Sequence, residues 1–303
     1  MLRISKKSNT AITLCVAAAL VAACVLWIIW GNVTFGTTHY DIASAEIPDR
    51  FDGYKIVQIS DLHNAEFVDD NSALIQALQA EQPDIIAITG DIVDSNHTDI
   101  AVALSFVRQA VKIAPCYYIT GNHEAWLNGQ YDGFQTEIIQ IGVTVLRNES
   151  TVIKRGGDEI QLIGLDDPEF ANQADYTADA VLDDSLSDMS LSDSYKILFS
   201  HRPNGFEIYK AQNIDLSLTG HVHGGQIRLP FIGGVLAPGF RMFPEYDAGV
   251  YRKDGSTMIV SRGLGNSIIP VRINDHPELV TVTLHSSKEH IPNTAPRTAL
   301  GAF

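Results

Sequence analysis

The sequence is short of cysteine, and that shortage excludes two kinds of protein. Only three of its 303 residues are cysteine. Cys15 and Cys24 lie together in an apolar run, which leaves Cys116 without a disulfide partner in the rest of the chain. A small disulfide-stabilised domain and a metal site built on sulfur ligands are therefore excluded.

Basic residues are also scarce, with 21 Lys and Arg against 36 Asp and Glu and a formal net charge of −15. Residues 1–30 contain three basic residues and no acid, so residues 31–303 carry 18 basic and 36 acidic groups. A body with this charge repels polyphosphate chains, so we expect no nucleic-acid partner. Apolar residues make up 45% of the chain, enough to bury a core and to exclude intrinsic disorder.

An uncharged run occupies residues 11–30, and its one polar side chain is that of Thr13. As a helix it would span roughly 30 Å, about the thickness of the hydrocarbon region of a bilayer. Trp27 and Trp30 lie at its far end, and indole rings favour the membrane interface. We therefore predict an uncleaved transmembrane anchor.

Two other interpretations of this run stay open. A cleaved signal peptide is one, since Ala43-Ser44-Ala45 supplies a cleavage-like pattern. That pattern lies well beyond the run, and the run is longer than the usual signal-peptide core of ~7–15 residues. The other alternative is a buried core helix.

Charge asymmetry around the run predicts its orientation. Arg3, Lys6 and Lys7 precede it, and the first basic residue after it is Arg50. The positive-inside rule then places the N-terminal tail in the cytoplasm and the body outside. We expect a single-pass protein of the cell membrane with an extracytoplasmic domain.

The pattern of the chain predicts five segments. They are a basic tail at 1–10, the anchor at 11–30, a connector at 31–53, one globular domain at 54–287 and a flexible tail at 288–303. The connector is punctuated by Gly and Pro, and the tail has Pro but no periodicity.

The first half of the globular domain alternates short apolar runs, typical of buried strands, with helical spacing, which predicts an α/β fold. The predicted strands are 54–60, 85–89, 116–120, 195–200 and 214–219, and the predicted helices are 72–80, 100–111 and 178–189. Closely spaced strands at 143–149, 150–155 and 159–165, and later ones at 247–252, 257–261 and 279–284, indicate a second sheet.

Polar clusters follow five of the predicted strands. They are Asp61-Leu62-His63, Gly90-Asp91, Gly121-Asn122-His123-Glu124, Ser200-His201 and Gly220-His221-Val222-His223. Any one cluster is adequately explained as a cap or a solvated loop. Five at strand ends, where α/β proteins place ligands, predict one shared site. Carboxylate, imidazole and amide oxygen together suit Mn, Fe or Zn.

These motifs, in this order, resemble the calcineurin-like metallophosphoesterase superfamily. The extended forms GHVHGGQIRLP (220–230) and RGLGNSIIPVRINDHPELVTVTL (262–284) resemble its membrane-anchored bacterial branch, which is similar to UDP-2,3-diacylglucosamine pyrophosphatases. The resemblance covers about residues 50–285. It implies a two-sheet sandwich flanked by helices (α/β/β/α), here preceded by one transmembrane helix.

The resemblance also implies a site for two divalent metal ions, with Mn²⁺ expected first and Fe or Zn as alternatives. The ligands that it implies are Asp61, His63 and His223 for one ion, Asn122, His201 and His221 for the other, and Asp91 as the bridge. A bridging carboxylate offsets the repulsion of two cations about 3.5–4 Å apart, which together activate a water and clamp phosphoryl oxygens. His123 is implied to be catalytic, either stabilising phosphoryl charge or protonating the departing oxygen.

Three further residues carry weaker predictions. Arg202 follows a ligand and is a candidate for binding a substrate phosphate, or else it forms an ion pair. Asn64 is a candidate for facing the substrate, or else it forms a turn. Glu124 either orients the site through a hydrogen bond or carries charge in a first helical turn.

The sequence leaves two enzyme functions open. One is hydrolysis of a phosphodiester or pyrophosphate bond in a lipid-linked or UDP-sugar substrate at the membrane. The other is an anchored phosphodiesterase or phosphomonoesterase for soluble small molecules. A non-catalytic metal-binding module is disfavoured because no ligand of the implied set is missing. No protein partner is predicted.

Overall fold

A computed structural model describes residues 6–171, 176–266, 270–287 and 297–300. Within them the helices are α1 Lys6–Val33, α2 Ser72–Glu81, α3 Ile100–Ala110, α4 Asn122–Ala125, α5 Tyr131–Ile141, α6 Ala178–Ser187 and α7 Phe206–Ala211. The strands in the first half are β1 Gly36–Ser44, β2 Lys55–Ile59, β3 Ile85–Thr89, β4 Cys116–Ile119, β5 Thr144–Val145, β6 Glu149–Arg155 and β7 Asp158–Gly164. Those in the second half are β8 Lys196–Phe199, β9 Leu216–Thr219, β10 Arg228–Leu229, β11 Gly233–Gly234, β12 Leu236–Ala237, β13 Arg241–Met242, β14 Gly249–Lys253, β15 Ser256–Val260, β16 Glu278–Ser286 and β17 Arg297–Leu300.

Two mixed sheets form the centre of the fold. The first has seven strands in the order β17-β1-β16-β2-β3-β4-β5, and the second has six in the order β14-β15-β9-β8-β7-β6. Strands β2 to β5 are parallel neighbours, as are β7, β8 and β9. The carboxyl ends of both parallel groups therefore supply the loops that build the site.

Alternating apolar side chains divide the core into layers. Ile56 on β2 packs between the sheets with residues such as Leu216 of β9, while its neighbour Val57 packs against the helices outside the first sheet. Helices α2, α3 and α5 cover that outer face, and α6 and α7 cover the second sheet. The predicted two-sheet sandwich flanked by helices is confirmed.

Strand β1 occupies residues 36–44, inside the segment 31–53 that the sequence predicts to be a connector. It pairs in parallel with β16 over nine residues and so belongs to the first sheet. The side chains of Thr38, Tyr40 and Ile42 are buried and alternate with the more exposed His39 and Asp41. The expected flexible tail likewise contains a strand, β17, which pairs with β1, and the rest of that tail lies outside the described residues.

The strand predicted at 279–284 exists but joins the first sheet and not the second. It is β16, which lies between β1 and β2. The run 143–149 contains the two-residue β5 and the start of β6. Helices α5 and α7 were missed.

The N-terminal helix α1 includes the 24-residue apolar stretch Thr10–Val33, which the body does not bury. Among the described residues it is the one helix long and apolar enough to cross a bilayer, although a signal sequence has the same features. Asn32 joins the end of this helix to the body through two hydrogen bonds with the backbone of Arg272, of 2.8 and 2.9 Å.

Candidate metal centre

The fold brings all seven predicted metal ligands to the facing carboxyl ends of the two sheets. Asp61 and His63 follow β2, Asp91 follows β3, and Asn122 follows β4. In the second sheet His201 follows β8, and His221 and His223 follow β9. Groups able to hold a metal ion form from Asp61, His63 and His223, from Asp91, His201 and His221, and from His63, Asp91 and His123.

The first group is compact. Nε2 of His63 lies 3.1 Å from Nε2 of His223 and 4.0 Å from Oδ1 of Asp61. Nε2 of His223 is 3.4 Å from the same Asp61 oxygen. Atoms at these separations can all bind one cation, since metal–ligand bonds to nitrogen and oxygen are about 2.0–2.2 Å long.

Asp91 lies between the two groups. Its Oδ2 atom is 3.2 Å from Nε2 of His201 and 3.6 Å from Nε2 of His63. Its Oδ1 atom accepts a 2.8 Å hydrogen bond from the backbone N–H of His123. One carboxylate oxygen is thus fixed by the loop, while the other faces both clusters.

Unsatisfied buried atoms support a metal at this place. Oδ1 of Asn122 is buried and has no hydrogen-bond partner among the described residues, while Nε2 of His201 is buried with only the Asp91 carboxylate near it, at 3.2 Å. A buried polar atom without a partner costs about 1–3 kcal/mol, so such atoms are uncommon. An amide oxygen, an imidazole nitrogen and two carboxylates are the donor set expected for Mn, Fe or Zn, so the residues fit the metal.

The protonation states of the buried histidines are also compatible with metal binding. Burial lowers the pKa of His63 to about 4 and lowers those of His221 and His223 well below the ordinary value, which leaves neutral rings able to bind metal. Burial acts against a charged His201 too, but Asp91 and Asp61 outweigh it and raise its pKa to about 10. The two carboxylates therefore hold a positive charge in the place where a metal ion would supply it.

Five of the seven predicted metal ligands have a left-handed backbone conformation. Asp61, His63, Asp91, His221 and His223 all have positive φ, between 46° and 70°. Left-handed backbone is uncommon for residues other than glycine and costs free energy, and it clusters at functional sites. Gly121 adds a tight approach, because a Cβ atom there would clash with the Asp91 side chain.

Glu124 has a clear role that the sequence left undecided. Its fully buried carboxylate accepts hydrogen bonds from the backbone N–H groups of Gly121, Asp91, Ile92 and Val93, at 2.7–3.2 Å. These donors belong to the loops after β3 and β4. Glu124 therefore holds the loop of Asp91 against that of Asn122 and His123.

His123 lies beside the first group, with its ring centroid 4.4 Å from that of His63. Its Nδ1 atom accepts a 3.1 Å hydrogen bond from the backbone N–H of Ser95, and Oδ1 of Asp94 is farther away at 3.5 Å. Because a backbone N–H only donates, the proton of the neutral ring lies on Nε2. That nitrogen is then a hydrogen-bond donor.

The two predicted substrate-binding residues differ in position. Arg202 lines the cavity over the site, but two of its nitrogens bind Asp167 at 2.6 and 2.9 Å, and a third lies 2.9 Å from Nε2 of His221. Asn64 has positive φ and donates to the His97 carbonyl at 2.7 Å. Its position matches the turn-forming alternative, and a substrate role stays a prediction.

A cavity of about 290 Å³ opens over the centre. Besides predicted residues it is lined by Trp126, Glu169 and Arg241, which the sequence analysis missed. It also missed Arg272, which is buried and lies 3.1 Å from Nδ1 of His223. No local pattern indicates these residues, since only the packing of distant loops brings them to the site.

Buried carboxylates and imidazoles at the carboxyl ends of two packed sheets make this a protein of mixed α/β fold with a candidate site for metal ions. The chain belongs to the calcineurin-like phosphoesterase family, whose model matches residues 54–225. The predicted resemblance is thereby confirmed at family level, and the enzyme class is that of phosphoester hydrolases.

Curated relatives agree with this assignment. The uncharacterized metallophosphoesterase YkuE of Bacillus subtilis is 33% identical over 259 residues, covering 83% of this chain and 86% of the relative. The phosphodiesterase YaeI of Escherichia coli is 30% identical over 237 residues, covering 76% and 82%. Among solved structures, TT1561 of Thermus thermophilus has a TM-score of 0.47 at 13% identity, covering 68% of this chain and 88% of that one.

Proposed function

We propose that this protein is a dinuclear-metal phosphoesterase that hydrolyses a phosphodiester or pyrophosphate bond. The observation that carries the proposal is the position of Asp91 Oδ2, 3.6 Å from His63 Nε2 and 3.2 Å from His201 Nε2. One carboxylate oxygen facing two imidazole clusters is the arrangement that a pair of bridged cations requires.

We assign one metal ion to Asp61, His63 and His223, the other to Asn122, His201 and His221, and the bridge to Asp91. When bound, two divalent cations lower the pKa of a water molecule and clamp phosphoryl oxygens. The protein's part is to hold this donor set rigidly: Glu124 fixes the two loops, and an Arg272 nitrogen lies within hydrogen-bond distance of His223 Nδ1. Oxygen and nitrogen ligands without sulfur favour Mn²⁺, with Fe and Zn as alternatives.

His123 is the proposed catalytic residue. The Ser95 N–H fixes its Nδ1 as an acceptor, so Nε2–H is free to donate in the cavity that the ring lines. A donor beside the phosphoryl group stabilises its developing charge or protonates the leaving oxygen. Its neighbours Trp126 and Glu169 would then contact the substrate beyond the phosphoryl group.

The substrate that we propose is membrane-associated, such as a lipid-linked or UDP-sugar phosphodiester or pyrophosphate. Helix α1 has the length and composition of a membrane span, and this supports the proposal because such a helix would tie the body to the bilayer through Asn32. The charge pattern favours a body outside the cytoplasm, whereas an acylated UDP-sugar normally faces the cytoplasm. Phosphoesters of soluble small molecules are the second candidate, because the cavity opens to solvent beside the exposed Arg241.

A substrate panel tests the proposal. The full chain, purified in detergent with added Mn²⁺, is assayed on bis-p-nitrophenyl phosphate, p-nitrophenyl phosphate and UDP-diacylglucosamine. We expect hydrolysis of the diester, abolished by chelation and restored by Mn²⁺. Faster turnover of the monoester than of the diester would favour the second candidate, and no metal-dependent turnover of any substrate would contradict the proposal.

A further inference from the structure

Two short hairpins beside the metal centre expose large apolar side chains. Strands β10 and β11 form one hairpin, and β12 and β13 form the other. We call their exposed apolar residues the hairpin patch: Leu229, Phe231, Ile232, Met242 and Phe243. Phe231 is fully exposed. Scattered exposed apolar residues are ordinary, but a group of large ones on neighbouring hairpins indicates a contact surface.

One basic side chain without an acidic partner lies beside the hairpin patch. The other arginines near the hairpins are paired with carboxylates: Arg228 with Asp247, Arg262 with Glu278 and the buried Arg272 with Asp275. Arg241 is exposed, and no carboxylate partner is found for it within the described ranges. An exposed apolar surface with an unpaired basic side chain next to Met242 suits an anionic lipid bilayer.

Backbone hydrogen bonds connect the patch to the end of helix α1. Ile273 donates to Gln226 at 2.9 Å and accepts from Arg228 at 3.0 Å. Its neighbour Arg272 binds Asn32 of α1. The base of the first hairpin is thus bonded to Ile273, and the end of the apolar helix is bonded to the adjacent Arg272.

His276, in the same segment as Arg272, contacts the aromatic end of helix α1. Trp30 stacks on His276 with ring centroids 5.1 Å apart, and Thr34 Oγ1 lies 2.8 Å from Nε2 of His276. Phe231 is four residues beyond Ile227, so its Cα atom lies at most about 15 Å from that base. The patch is therefore within the reach of the bilayer interface at which Trp27 and Trp30 would lie.

We propose that the hairpin patch inserts into the interfacial region of the bilayer that α1 spans, so that the body rests on the lipid surface. Pro238, Gly239 and Arg241 of the second hairpin line the metal cavity, so its mouth then faces the lipid headgroups. The inference rests on the membrane span proposed above and is independent of the proposed catalysis.

The experiment places a fluorophore in the patch of the full chain. Cys15→Ser and Cys24→Ser remove the exposed thiols, while Cys116 is buried and protected from labelling. Phe231→Cys or Met242→Cys then carries an environment-sensitive fluorophore, and Val152→Cys is the matched control, an exposed apolar position on β6. The labelled chains are reconstituted into vesicles of phosphatidylcholine with and without phosphatidylglycerol, and doxyl-labelled lipids report depth.

We expect blue-shifted emission at 231 and 242, with quenching greatest for a doxyl group about 5–10 Å below the headgroup boundary. The control at 152 should emit as in water, and phosphatidylglycerol should strengthen the quenching in the patch. Emission and quenching at 231 equal to those at 152 would overturn the proposal. A second outcome would also overturn it: blue-shifted emission that doxyl lipids do not quench and that is lost when the protein is diluted in lipid. The patch would then be covered by a second copy of the chain and not by lipid. None of these readouts requires turnover.

Discussion

The carboxylate of Glu124 accepts a 2.8 Å hydrogen bond from the backbone N–H of Asp91, which lies in a different loop. Three more backbone N–H groups donate to the same carboxylate. Four donors around one buried anion make Glu124 the residue that fixes the distance between the loops after β3 and β4. Metal geometry therefore depends on a side chain that need not touch the metal.

Glu124→Gln should destabilise the protein and weaken metal binding. The amide NH₂ group would face backbone donors that the carboxylate now satisfies, at a cost of about 1–3 kcal/mol for each donor left unpaired. Urea unfolding of the metal-free full chain measures the loss, and metal titration measures affinity. Glu137→Gln is the control, because that carboxylate is exposed and pairs with Arg108 at 3.5 Å. Equal stability of the two variants would contradict the role given to Glu124.

Asp91→Asn should abolish activity and weaken both metal sites. A neutral amide keeps the acceptor for the His123 N–H but no longer offsets two adjacent cations. Elemental analysis measures metal per chain beside turnover. Asp84→Asn is the matched control, since Asp84 precedes the same strand at the opposite end, where it accepts from Lys55. An Asp91→Asn protein that stays active with two tightly bound metals would show that the bridge is assigned wrongly.

His123→Gln should retain about two metals per chain and lose rate. General acid catalysis is typically worth ~10²–10⁴-fold, so we expect a fall in that range for a diester with a poor leaving group. The loss should shrink for p-nitrophenolate, which leaves without a proton. The control is His285→Gln, on strand β16 near Asp41.

Two outcomes would change this assignment. An equal loss for both leaving groups would mean that His123 acts by charge stabilisation. Loss of metal together with activity would make it a ligand, a possibility raised by its closeness to His63 and Asp91.

Protease added to intact spheroplasts should degrade residues 50–303. The basic residues Arg3, Lys6 and Lys7 precede the apolar helix, and this asymmetry favours a cytoplasmic N-terminus. An epitope tag placed before Met1 serves as the control and should stay protected until lysis. A protected body with an accessible tag would show the reverse orientation.

Much of the site was predictable from the sequence because its ligands follow strands that local patterns reveal. The run IIAIT at 85–89 coincides with β3, and Asp91 follows it by two residues. Parallel strands place their carboxyl ends at one edge, so the order of motifs already predicted that Asp61, Asp91 and Asn122 meet. Residue type and spacing carried that information, together with the likeness to a known family.

Contacts between distant segments were decided only by the tertiary structure. Strand β1 pairs with β16, about 240 residues away, and its short alternating pattern does not specify that partner. Arg202 is held by Asp167, and Glu124 by four backbone donors, because folding brings separate loops together. A sequence pattern reports the preference of a residue for burial or for a backbone conformation. The partner of a buried charge is decided by packing between distant segments. Packing also places Arg272 beside His223 and the hairpin patch near the end of α1.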